Sequence, residues 1–156
     1  MNIKKVRPDK TYRGGTYYPI NPDKYVGPSP IICRSSWERK YCQYCDTNDA
    51  IIKWSSEPFQ IPYYNPLTKK EHTYHPDFYI KVKTSSGKLK EYIVELKPKS
   101  QTKKPVQPKR VTEQALKNYK YAVETYVRNT VKAKAAKKFA AERNMEYIVL
   151  TEDSIK

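Results

Sequence analysis

Cysteine is scarce in this 156-residue chain. Cys33, Cys42 and Cys45 are the only three, an odd number that builds no disulfide framework, so reduced thiols are expected. Cys42-x-x-Cys45 is half of a zinc ligand set, but only Cys33, His72 and His75 remain to complete it, and buried helix thiols are the better reading. No apolar run approaches the roughly 18 residues of a membrane span, and the opening MNIKKVRPDK lacks the apolar stretch of a signal peptide; a cytosolic protein without a membrane partner is expected. Acids are also in deficit. Sixteen Asp and Glu against 31 Lys and Arg leave a formal charge of +15, and a surface this positive attracts polyanions, nucleic acid first.

What is present is enough for one core. Apolar residues make up 38% of the chain, but aromatics reach 13%, and the length suits one domain. Residues 1–30 hold Tyr12, Tyr17, Tyr18 and Tyr25 among Gly, Pro and Lys with no helical or strand period. They read as an irregular basic arm, lying on the domain or on a ligand, ahead of a single domain over 31–156. Ser35-x-x-Glu38 is a capping box, and Trp37, Tyr41 and Tyr44 follow at helical spacing, which predicts a helix from Ser36 to about Thr47.

Ile51 to Trp54 reads as a short strand, and Gln60 to Tyr64 as another or as an extended connection bounded by prolines. Two longer strand-like runs, 73–83 and 88–97, flank Ser85-Ser86-Gly87 and predict a hairpin. Residues 98–110 are proline-rich and basic, a solvated loop suited to phosphates. Thr112 then opens a long helix to about Asn144 with Leu116, Tyr119, Val123 and Val127 on one side, and a strand from Glu146 to Leu150 follows. The order is helix, strands, helix, strand, αβββαβ: an α/β (α+β) chain with a mixed central sheet and an antiparallel hairpin.

The hairpin register carries the functional information. With the turn centred on Ser86, residues equidistant from it face each other, so Asp77 lies opposite Glu95 and His75 opposite Lys97. Period-two alternation puts these polar groups on one face, leaving Phe78, Ile80, Val82, Tyr92, Val94 and Leu96 for the core on the other. Two facing carboxylates repel unless something neutralises them. A divalent cation does so economically: Mg²⁺ takes one or two carboxylates, with waters and a substrate phosphate completing its shell. Lys97 would reach the same pocket, where an ammonium can orient a water or stabilise charge growing on phosphate. Glu38 is the candidate for a further carboxylate, a role compatible with capping.

In Pro76-Asp77 and Glu95-Leu96-Lys97, with Glu38 on a preceding helix, the chain resembles the PD-(D/E)-x-K nuclease superfamily. The wider stretch, Arg34-Ser35-Ser36-Trp37-Glu38 through His75-Pro76-Asp77-Phe78 and Val94-Glu95-Leu96-Lys97-Pro98-Lys99 to Tyr147–Leu150, is similar to the head completion nucleases of T4-like tailed phages. More distantly it is similar to the nuclease subunit of Tn7-type transposases. The resemblance implies a restriction-endonuclease-like core and a metal-dependent endonuclease acting on DNA in head completion, with Asp77, Glu95 and Lys97 in catalytic positions. It also implies Mg²⁺ as cofactor, with Mn²⁺ expected to substitute, capsid or portal vertex proteins as partners beside DNA, and a place in the host cytoplasm or at the virion head. A dimer is left open. Candidate DNA contacts are Arg34, His75, Lys99, Lys103, Lys104, Gln114 and Lys117, although a lone His beside a proline, as His75 is, is more often a structural hydrogen-bonding group. The alternative function is a noncatalytic DNA-end or capsid-binding protein that keeps the nuclease fold.

Overall fold

The computed structural model describes residues 15–154, so Tyr12 and the first half of the arm lie outside the described residues. Two short strands, β1 (Gly15–Tyr17) and β2 (Ile31–Cys33), pair antiparallel before α1 (Ser36–Thr47). Then come β3 (Ile51–Ser56), β4 (Ile61–Asn65), β5 (Lys70–Tyr74), β6 (Phe78–Lys83), β7 (Leu89–Leu96), α2 (Glu113–Glu142) and β8 (Glu146–Leu150). The central sheet has the order β3-β6-β7-β8, antiparallel except for the β7–β8 pair, which the long α2 crossover makes parallel. The mixed sheet and its two helices match the expected class.

The hairpin has the expected register, with Phe78 facing Val94 and Ile80 facing Tyr92. Gly87, at φ +85°, makes the turn, and its amide donates to the Thr84 carbonyl at 2.8 Å. Expectation and structure part company at residues 73–83. That run is not one strand: it breaks at His75-Pro76-Asp77, and β5 turns away to form a separate hairpin with β4. Proline donates no hydrogen bond and favours an extended residue before it, so a ladder ends there.

Both faces of the sheet are covered. On one, Trp37, Tyr41, Cys42 and Cys45 of α1 pack over Trp54, Phe78, Ile80 and Val94. On the other, Ala136 and Ala140 of α2 meet Ile93, with Ile61, Tyr63 and Tyr74 of the β4–β5 hairpin alongside. The face carrying Asp77 and Glu95, expected to be polar, is therefore a second core. Adjacent Ile93 and Val94 are both fully buried, as a central strand with two covered faces requires. The N-terminal half of α2 runs clear of this packing, and Leu116, expected in the core, is 48% exposed.

The described part of the arm is fastened by one buried carboxylate. Asp46 accepts from the Tyr17 hydroxyl (2.6 Å) and from the Ile20 and Asn21 amides (2.7 and 2.9 Å), while Lys24 Nζ donates to its carbonyl (2.9 Å). All three cysteines are buried free thiols, with Cys33 and Cys42 Sγ 3.6 Å apart. Among the described residues no helix is long and apolar enough to cross a membrane.

Candidate active site

Three elements end at one cleft of about 170 Å³. Glu38 comes from the first turn of α1, Asp77 from the bend before β6, and Glu95 and Lys97 from the end of β7. Gln101, in the short 3₁₀ turn Lys99–Thr102, and Asn129 of α2 complete the wall.

The backbone fixes each side chain. Asp77 follows the last ladder pair, its carbonyl accepting from the Glu57 amide (2.9 Å) and its Oδ2 from the Leu96 amide (2.8 Å). The Lys97 amide donates to the Leu150 carbonyl at 2.9 Å, tying the site to β8. Ser35 caps α1, its Oγ accepting from the Glu38 amide (3.0 Å). The Glu38 carboxylate folds back to the Ser35 hydroxyl and the Arg34 amide, both at 3.3 Å.

Glu95 sits in a network that the sequence reading missed. Its carboxylate accepts from the Tyr74 hydroxyl, which lies 3.1 Å from the Tyr147 hydroxyl, and Lys132 Nζ stands over the Tyr74 and Tyr63 rings at 5.4 and 5.8 Å. Burial pushes the Glu95 carboxyl up, opposed by the Tyr74 hydrogen bond and by Lys97 and Lys132. Burial lowers both lysines, against the pull of Glu95 and Asp77. It also raises Glu38, against its bond from the Arg34 amide. A signal for Lys132 was present: it lies four and eight residues before the buried Ala136 and Ala140, on the stripe α2 turns to the sheet. Tyr147 pairs with Ile93, two residues from Glu95 on the same face of β7.

The remaining candidates are elsewhere. His75, expected to converge with the others, is exposed and outside the cleft lining, because the β6 ladder stops at Phe78 and never reaches the Lys97 level. Arg34 is exposed and ion-paired with Glu57. Lys99 pairs with Asp153 at 2.8 Å, and Lys103 and Lys104 are exposed in the following loop. Gln114 bonds Asn118 (2.9 Å), and Lys117 pairs with Glu113 (3.4 Å), on the first turns of α2. Gln114 is fifteen residues before Asn129, about 22 Å along the helix from the cleft wall.

Among the described residues no three or more His, Cys, Asp and Glu side chains gather as a cage built wholly from protein ligands. Asp77 and Glu95 could instead give a hard cation two carboxylates and leave its other positions to water and phosphate, the donor set that Mg²⁺ favours. Glu38, in the same lining, could reach such an ion through water.

The family model described as TnsA-like endonuclease N terminal matches residues 48–152, a span holding Asp77, Glu95 and Lys97 but starting after Glu38. The chain is 38% identical over 143 residues to the head completion nuclease of Enterobacteria phage T4, covering 91% of this chain and 93% of that protein. The α+β architecture with its mixed sheet is that of a restriction-endonuclease-like fold.

Proposed function

Because the chain belongs to the TnsA-like endonuclease family, we propose that it is a Mg²⁺-dependent DNA endonuclease acting in phage head completion. The observation that carries this reading is the cleft: Glu38, Asp77, Glu95 and Lys97, from three separate stretches of sequence, line one cavity of a protein with charge +15. Asp77 and Glu95 are the residues that would hold the ion, with Glu38 as a further carboxylate and Mn²⁺ as a substitute. When bound, such an ion supplies positive charge at a phosphate oxygen and acidifies a coordinated water.

The protein's own part is positioning and charge. The Leu96 amide fixes Asp77, and the Tyr74 hydroxyl and the Asp77 backbone hold the Glu95 carboxylate at the cleft. The Lys97 amine, half-buried between the two acids, orients the attacking water and offsets charge growing on the phosphate. Surface lysines and arginines hold the flanking DNA and make binding salt-dependent. We assign the nuclease domain to residues 31–156 and an arm to residues 1–30. The relative's name supports action on phage DNA in the infected cell, with capsid or portal vertex proteins as candidate partners.

The test is cleavage of linear and supercoiled DNA by the purified chain. Mg²⁺ should support it, EDTA should stop it, and Asp77→Ala and Glu95→Ala should each abolish it while DNA binding survives. Full activity in either variant would remove the assignment. Salt-sensitive binding with no cleavage under any divalent metal would instead establish the noncatalytic alternative.

A further inference from the structure

A second cleft, of about 440 Å³, opens from the first and shares Lys97, Gln101 and Asn129 with it. Beyond these common walls it is lined by Thr102 and by one stripe of α2 that carries Tyr126, Thr130, Lys134 and Lys137. The stripe runs for about 16 Å along the helix. At ~100° per residue the centre of this stripe lies nearly opposite Lys132 and more than a quarter-turn from Ala136, with Ala140 at its border, so the groove face adjoins the face that α2 turns to the sheet.

The chemistry of the lining is one-sided. Three lysines stand among hydroxyl and amide groups with Ala133 and Val149, no acidic side chain is in the lining, and Lys134 and Lys137 are exposed. Of the residues singled out from sequence, Lys99, Arg34 and Lys117 are by contrast each paired with an acid. The geometry points to this groove as the track of the cleaved DNA strand on one side of the scissile phosphate. Lys134 and Lys137 neutralise successive phosphates, and the Tyr126 ring offers a base a stacking surface. The inference rests on the nuclease reading, since it places the substrate relative to the Asp77–Glu95 cleft.

Equilibrium binding of a fluorescent DNA to the full chain in EDTA, titrated from 50 to 200 mM salt, tests it. Three proteins are compared: wild type, Lys134→Gln/Lys137→Gln, and a control pair, Lys83→Gln/Lys88→Gln, at the exposed tip of the β6–β7 hairpin. Each phosphate contact contributes about 0.9 to the slope of log K against log salt. The groove pair should therefore lower the slope by about 1.8, so that wild type loses roughly 12-fold more affinity than the variant across that range. The control should change it little. Tyr126→Ala should weaken single-stranded DNA by roughly 5- to 150-fold. If the groove pair behaves as the control does while wild type still binds and cleaves DNA, the track is wrong and the nuclease reading stands. If wild type binds no DNA at any salt, both fall.

Discussion

Replacing Tyr74 with phenylalanine removes one oxygen atom and leaves the ring that packs in the second core and lies under Lys132. The lost hydroxyl is the donor to Glu95 and the partner, at 3.1 Å, of the Tyr147 hydroxyl. A hydrogen bond to a charged acceptor is worth roughly 1.5–3 kcal/mol, and the Tyr147 hydroxyl is left one partner short, so a loss of about 2–3 kcal/mol is expected. For a chain of this length that is roughly 4–12 °C in Tm. Burial holds the Tyr74 hydroxyl far above the ordinary tyrosine range, so it remains a donor throughout the working pH range. Without it the Glu95 carboxylate loses one of the hydrogen bonds that orient it, keeping the one from the Asp77 backbone. Loss of a group that orients a metal ligand typically costs about 10- to 100-fold in affinity or activity. Urea unfolding gives the stability, and cleavage rates titrated with Mg²⁺ give the rest: a lower kcat and a higher half-saturating Mg²⁺ with unchanged DNA affinity. A phenylalanine variant with wild-type stability and the wild-type Mg²⁺ curve would refute the reasoning.

Other perturbations test other parts. Lys132→Met keeps the volume and removes the positive charge near Glu95; cleavage should fall about tenfold with DNA affinity within about twofold, and a parallel loss of both would contradict its separation from the groove. Ser35→Ala should cost about 1 kcal/mol in urea unfolding through loss of the α1 cap, and an unchanged midpoint would show that the cap contributes nothing. Asp46→Ala leaves the buried Tyr17 hydroxyl and two part-buried amides without their acceptor and should cost about 1–3 kcal/mol, read in the same assay. Burial acts to raise the Asp46 carboxyl, but the bonds from Tyr17, Ile20 and Asn21, with Lys24 nearby, outweigh it and hold the group below the usual carboxylate range. Its stabilisation is then complete above the unfolded value near ~3.9 and is lost as pH falls through the lower folded value. Wild type should lose more stability than Asp46→Asn between pH 6 and pH 2, and parallel curves would exclude the assignment.

The parts of this fold that sequence revealed are those set by local chemistry. The Ser35 cap, the aromatic spacing of α1, the alternation of β6 and β7 and the Gly87 turn each act within a few residues, and together they fixed the register that sets Asp77 beside Glu95. The β4–β5 hairpin was hidden because β5, Lys70–Tyr74, carries little apolar alternation and joins β6 through only three residues. A break at Pro76 and a continuing strand look alike until the partner strand is known. Missing that hairpin meant missing Tyr63 and Tyr74, and with them the support of Glu95. For α2 the periodicity and the Thr112 cap mark the helix and its start but not which turn meets the sheet. Gln114 and Lys117 were therefore chosen at one end of a 30-residue helix, while Asn129 and Lys132 stand at the site.

Diffraction from a crystal soaked in Mn²⁺, collected for its anomalous signal, tests the central claim most directly. The account predicts a peak within about 2–2.5 Å of oxygens from both Asp77 and Glu95, with Lys97 facing the same cavity. A peak elsewhere, or none at a Mn²⁺ concentration that supports cleavage, would contradict it.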